Sequence, residues 1–293
     1  MGKASRRKKV VNPAALAQYR APIPFVARPF EGLPREVELV AMREIIPCAT
    51  LTARTNADHG FVDFDFVTAL PDGRGAMVRD DGRILVALQT RSNSGDLSHD
   101  AGAALLNAIS AKQNGDEGLV DFDVRDPSER LQDILDPDSF GEMVLEENFA
   151  FWLNPDEDWD EATRRALEEN HNEIIPTVKV EGVEGMYWCE MNRNFVRYLS
   201  DVEESPLFDA LARVQAAGKA NLGEGSRFIG AFRACGIAIP VFELAEGVRA
   251  EDIVKEAGVL EEAIAAALKV KEPLTPEERR ARQGMVSRQV TIR

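Results

Sequence analysis

The chain has 293 residues, 44% hydrophobic and 29% charged, so it holds the apolar material for a core, exceeds a comfortable single domain of roughly 150 residues and is not a disordered polymer. Its net charge of −15 is unevenly spread: residues 1–30 carry seven bases and no acid, and residues 269–293 carry seven bases against three acids, so the body between them holds −26. Such a body repels phosphate backbones, which argues against a nucleic-acid groove across it and leaves any anionic partner to the ends.

Taken in chain order, residues 1–35 read as a basic arm whose Pro13, Pro22, Pro24, Pro29 and Pro34 hold it extended. A first α+β lobe is expected over 36–155. It opens with a short helix or strand at 37–46 and continues with strand-like runs at 48–55, 61–70, 77–79 and 84–90. Asp80-Asp81-Gly82 supplies a tight hairpin between the last two. Leu97, Ala101, Leu105 and Ile109 recur four apart and predict a helix over 97–112, with Ser94 or Asp96 as its cap. A strand at 119–124 and helices at 127–135 and 141–153 follow, and a charged bridging helix falls within 156–172. The second lobe, 173–268, reads as strands at 177–180, 186–191 and 195–199, then a helix opened by Ser205-Pro206. Next come a helix at 228–234, a strand at 237–244 and helices at 248–256 and 259–268. The basic tail, 269–293, has at best a polar helical stub at 277–283.

The fold class is therefore α+β in two tandem lobes. Glu44-Ile45-Ile46-Pro47 recurs as Glu173-Ile174-Ile175-Pro176. The order hairpin, capped helix, strand, helix then recurs in both halves, which suggests an internal duplication; a single larger mixed sheet is the alternative. Cys48, Cys189 and Cys235 are odd in number and far apart, with no C-x-x-C pair, which fits a reducing compartment and a cytoplasmic protein. The N-terminus has the bases of a secretory signal without its apolar stretch. No run approaches the roughly 18 apolar residues of a membrane span, so no membrane partner is expected.

Candidate chemistry is sparse. The loop Arg91–Asp96 precedes a helix, where free N–H groups attract anions, but the Asp96 carboxylate competes for those donors as a cap. Ser98-His99-Asp100 has the residue types of a nucleophile and base, yet neighbours on a helix project about 100° apart and cannot form a triad. His59 and His171 add no metal spacing, and no metal or cofactor is expected. Gly218-Lys219-Ala220 lacks a P-loop's Ser or Thr, and the glycine-rich turn Gly223–Gly230 reads as a connector between two helices, capped by Ser226. Glu224 and Arg227 remain as a polar pair at that turn. Met186, Tyr187, Trp188, Phe195 and Tyr198 read as cross-strand packing, and the acidic run 156–161 as a solvated helix start.

The stretch Arg28-Pro29-Phe30-Glu31-Gly32-Leu33-Pro34, the segment Val40–Glu44 and the hairpin Arg79-Asp80-Asp81-Gly82 resemble a family of actinobacterial proteins of unknown function. So does Leu222-Gly223-Glu224-Gly225-Ser226-Arg227-Phe228 with Pro240-Val241-Phe242. The resemblance spans 28–245 and supplies no activity. Some relatives begin with a cysteine-rich SEC-C zinc motif and carry a preprotein-translocase label. This chain has Lys3, Arg6, Arg7, Lys8 and Lys9 there, and neither a nucleotide loop nor the length of a motor domain. The resemblance implies an N-terminal docking element, basic here.

Two functional readings follow. One is a binding or adaptor protein whose arm, through Lys3, Arg6, Arg7, Lys8 and Lys9, contacts RNA, the ribosome, another polyanion or an acidic protein, the alternative being that this cluster only solubilises the chain. The other is an enzyme or small-ligand sensor with a site between the lobes, drawing on Asp96, His99, Glu224 and Arg227. No residue is assigned a catalytic role.

Overall fold

The computed structural model describes residues 22–126, 128–286 and 290–291. Among them are seven α-helices and twelve strands: α1 (Glu36–Glu44), β1 (Ala49–Arg54), β2 (Asp63–Val67), β3 (Ala76–Val78), β4 (Ile84–Ala87), α2 (Leu97–Asn114), β5 (Gly118–Val120), α3 (Leu131–Ile134), β6 (Met143–Leu145), α4 (Glu161–Glu173), β7 (Thr177–Lys179), β8 (Met186–Glu190), β9 (Asn194–Tyr198), α5 (Glu204–Ala216), β10 (Arg227–Ala234), β11 (Ile237–Glu243), α6 (Val254–Leu268), α7 (Pro276–Val286) and β12 (Val290–Thr291). The fold is α+β with two six-stranded sheets, ordered β5-β3-β4-β2-β1-β6 and β12-β10-β11-β9-β8-β7.

Side chains alternate between the faces of a strand, and in the first sheet that alternation sorts the core. Leu51, Ala53, Phe64, Phe66, Ala76, Val78, Ile84 and Val86 face one side, against α1, α2 and α3. Val67, Met77, Leu85 and Ala87 face the other, where Phe151 and Trp152 cover them. The β3–β4 turn closes through Gly82, which holds φ +79° and donates to the Arg79 carbonyl. Asp96 caps α2 by accepting from the Ser98 and His99 amides, and Gly115 ends it in the left-handed region.

In the second sheet β8 and β11 are buried on both faces, which is why Met186–Cys189 and Ile237–Phe242 read as nearly unbroken apolar runs. Met186, Trp188, Val196, Tyr198, Ala238 and Phe242 pack with residues of α5 and α6 and with Met285 of α7. Tyr187, Leu199, Ile237 and Ile239 point the opposite way and join the core around α1. That helix is thus a wall common to both sheets. Leu39, Val40 and Met42 on it, and Ile46 just past its end, are fully buried, each contributing about 2 kcal/mol by leaving water. Its end is fixed by Pro47 and by Gln89, whose side-chain amide donates to the Met42 and Ile46 carbonyls at 2.7 and 2.8 Å. Arg197 of β9 donates to the Ile45 carbonyl and ties the second sheet to the same end.

Several expectations are corrected. Residues 228–234 form strand β10, not a helix. Their partner is β11 through the two-residue turn Cys235-Gly236, with φ +46° and +77°, the geometry of a tight hairpin. A bulge between Phe228 and Gly230 interrupts the alternation that would have marked a strand. The glycine-rich turn consequently joins a helix to a strand. The 127–135 helix shrinks to the single turn α3, and 141–153 contains β6 and a 3-10 turn. The tail is not a loose stub: α7 packs on α5, with Arg282 paired to Asp209 and Arg213 to Glu278. Both Glu-Ile-Ile-Pro segments leave a helix and enter a strand. The halves then diverge, because β2 pairs β4 in parallel whereas β8 and β9 form an antiparallel hairpin. The duplication is not confirmed.

Candidate functional site

The described chain enters along the junction between the two sheets. Val26 donates its amide to the Gly95 carbonyl at 3.0 Å, ahead of α2. Arg28 then grips both halves. Its guanidinium donates to Glu36 of α1 at 2.5 and 3.0 Å, to Glu203 at 2.9 Å and to the Asp201 carbonyl at 2.9 Å. Gly236 at the β10–β11 turn admits this crossing, since a Cβ there would stand 2.7 Å from Arg28 Cβ and 2.9 Å from the Ala27 carbonyl oxygen. The root of the basic arm is therefore pinned across the seam.

Beside that seam lies a cleft of about 260 Å³, lined by Glu36 and Glu38 of α1 and by Glu184, Ser200, Asp201 and Glu261 opposite. Arg28 compensates Glu36, and Arg35 compensates Glu38 at 3.0 Å. Among the described residues no ion pair holds Glu184, Asp201 or Glu261. The Tyr187 hydroxyl is buried without a hydrogen-bond partner. Burial, then the charges of Glu38 and Glu184, drive its ionisation well above the ordinary phenol range. Tyr198 is raised in the same way, by burial first and then Glu261. Three carboxylates without an ion pair among the described residues thus share the cleft, an arrangement that favours a cation.

The four residues expected to share a ligand pocket are not brought together. Asp96 is buried at the start of α2, where its carboxylate holds two backbone amides and the Arg130 guanidinium at 2.8 Å. Those donors are spent, so the loop before α2 is a capped helix start and not an open anion nest. His99 is buried next to it, with Nδ1 3.1 Å from Asp100 Oδ1 and Nε2 without a partner. Ser98 Oγ instead donates to Gln132 and accepts from the Leu131 amide, so these neighbours form no triad. Glu224 and Arg227 are exposed at the entry to β10, and Arg227 pairs with Glu243 at 2.7 Å beside Arg193. No contact joins one pair to the other among the described residues. Lys3, Arg6, Arg7, Lys8 and Lys9 lie outside the described residues.

The three cysteines are free. Burial, with Glu146 behind it, pushes the Cys48 thiol up to about 12. Burial likewise raises Cys189 and Cys235, the latter also facing Glu44 at 3.6 Å. Neutral thiols are poor nucleophiles and poor metal ligands at neutral pH. Among the described residues no group of three His, Cys, Asp or Glu side chains is arranged to hold a metal ion. No described helix is long and apolar enough to cross a membrane.

The junction residues escaped sequence reasoning because they come from four separate segments. Only the paired acids Glu36 and Glu38 at the start of a helix gave a local signal. A protein-family model described as a family of unknown function (DUF5926) matches residues 29–293. No curated protein and no solved structure matches the chain.

Proposed function

The chain belongs to DUF5926, a family of unknown function, and we propose that it is a binding or adaptor protein, an acidic body that attaches to RNA or the ribosome through its basic N-terminal arm. The observation that carries this reading is the clamp of Arg28 across the seam, which gives the arm a fixed point of departure from both halves. Six bases and no acid precede Arg28, while the body would repel the same partner. The family match begins at residue 29, so the arm is an extension of this chain beyond the matched region. The C-terminal extension does not share the role, because Arg282 is committed to Asp209 and α7 is packed on α5. Five clustered bases supply salt-sensitive attachment without sequence reading.

The test is binding to single-stranded RNA across a salt series, with the full chain and with a chain lacking residues 1–12. Neutralising five phosphates gives a slope of log affinity against log salt of about −3.5. Deletion should abolish both the slope and the binding; unchanged affinity on deletion would refute the reading.

A second reading, a small-ligand site between the halves, is favoured by the junction cleft and its three carboxylates without an ion pair. It does not use Asp96, His99, Glu224 or Arg227, and its ligand would be a small cation. Titration with putrescine should give saturable binding that Glu184→Gln weakens; the absence of binding, or indifference to that substitution, would remove it.

A further inference from the structure

A second cavity, distant in sequence from the seam, has a different chemistry. It is an open groove of about 600 Å³ between β3 and the segment leading into α4, and Trp152, Trp159, Asp80, Glu117, Glu157 and Asp158 contribute to its walls. Ligand sites generally occupy some 300–1,000 Å³. Both indole N–H groups are already spent, Trp152 on the Ala69 carbonyl at 2.9 Å and Trp159 on the Asn154 carbonyl at 3.0 Å. What is left to offer a ligand is π surface: the Trp159 ring, and the part of Trp152 that is neither stacked on Phe149 nor packed on the cluster beneath it. Trp152 is further braced by Phe149, stacked at 4.5 Å between centroids, and by the edge of Phe151.

The charge on the walls is nearly all of one sign. Asp80, Glu117, Glu157 and Asp158 are exposed, and none has an ion-pair partner among the described residues. The one cation in the lining, Arg79, is committed to the wall: it pairs with Asp81 at 2.6 Å and donates to the Phe151 and Leu153 carbonyls at 3.0 and 3.1 Å. Fixed aromatic surfaces within an anionic rim attract a positive charge whose own surface is apolar, through the quadrupole of the rings and the carboxylates together. A bare metal ion is not matched, since no described group of three ligating side chains exists.

We propose that this cavity binds a methylated ammonium group, its methyls against Trp152 and Trp159 and its charge facing the acidic rim. A zwitterion is disfavoured because its own carboxylate would meet the rim. The same group occurs on free choline and on a methylated lysine side chain, and the experiment separates the two.

The test is a titration of the full chain with choline, followed by tryptophan fluorescence. The third tryptophan, Trp188, is buried in the second sheet with its N–H on the Val248 carbonyl and serves as a constant background. Saturable binding is expected, weakened roughly three- to thirty-fold by Trp159→Ala. Trp159 lies outside the buried clusters, so the variant keeps the fold, which circular dichroism verifies. Trp159→Phe should retain part of the affinity, and Glu157→Gln with Asp158→Asn should lower it. Glycine betaine and 3,3-dimethylbutanol, the uncharged analogue of choline, should bind more weakly than choline. A peptide carrying trimethyl-lysine that binds more tightly than choline assigns a protein source, and the reverse order a free metabolite. Absence of saturable binding by either probe, equal binding of the uncharged analogue, or indifference to Trp159→Ala overturns the proposal.

Discussion

Replacing Arg28 by Ala tests how the arm and the two halves are held together. In the native chain its guanidinium makes two charge-assisted hydrogen bonds to Glu36, whose side chain is 8% exposed, and one to Glu203, which is 74% exposed. The exposed arm of the contact is worth about 0.2–1 kcal/mol. The buried arm dominates, because its loss leaves a mostly buried carboxylate without its cation beside the other acids of the cleft, and breaking such a pair costs roughly 3–5 kcal/mol. Against a total stability of about 5–15 kcal/mol, Arg28→Ala should lower the urea midpoint substantially at unchanged slope. Adding Glu36→Gln removes the stranded charge and should recover part of the loss, a coupling of about 0.5–3 kcal/mol. Trypsin should also cut the 22–35 region faster in Arg28→Ala. A midpoint within about 0.5 kcal/mol of the parent, or strictly additive effects of the two substitutions, would refute the clamp.

Gly185 should tolerate no side chain: it holds φ +72°, and a Cβ would stand 2.2 Å from the Leu199 carbonyl oxygen and 3.1 Å from Val37 of α1. Gly185→Ala is expected to cost about 2–4 kcal/mol in thermal or urea unfolding, from left-handed strain and overpacking together. Burial raises the Glu44 carboxyl above its ordinary range, against smaller opposing effects of Arg43 and Cys235. Its contribution to stability is therefore present below the ordinary glutamate range and lost as pH rises through the folded value. Glu44→Gln should accordingly gain melting temperature relative to the parent at pH 8 compared with pH 4; a difference independent of pH would contradict this. The three thiols should react slowly with an aromatic disulfide reagent at pH 7 and all at once after denaturation. A fast-reacting native thiol would show that one of them is not shielded.

Local chemistry made part of this fold readable from the chain. The Asp96 cap, the fourfold spacing from Leu97 to Ile109 and the Asp80-Asp81-Gly82 turn each act within a few residues, and each appears as expected. Residues 228–234 read as a helix because Phe228, Ile229 and Phe232 imitate helical spacing while the bulge between Phe228 and Gly230 hides the strand period. The polarity of the tail conceals its helix. Its attachment depends on Arg213, Arg282 and Met285 meeting partners far away in sequence. The junction cleft was illegible for a related reason, since Glu36, Glu184, Asp201 and Glu261 are collected only by tertiary packing. Trp152 and Trp159 were within reach: aromatics at 149, 151, 152 and 159 beside an acidic run are a pattern, but the expected 141–153 helix would have dispersed them.

The position of α1 restricts how this molecule can be divided. It precedes the first sheet in the chain yet roofs one face of the second, so a fragment beginning at the bridging helix would display Tyr187, Leu199, Ile237 and Ile239 to water. Such a fragment should aggregate instead of behaving as an autonomous module. Recombination can therefore pass on the two sheets only as a joint inheritance, whereas sequence inserted at the exposed residues 155–158 between them would spare both cores and disturb only the acidic wall formed by Glu157 and Asp158.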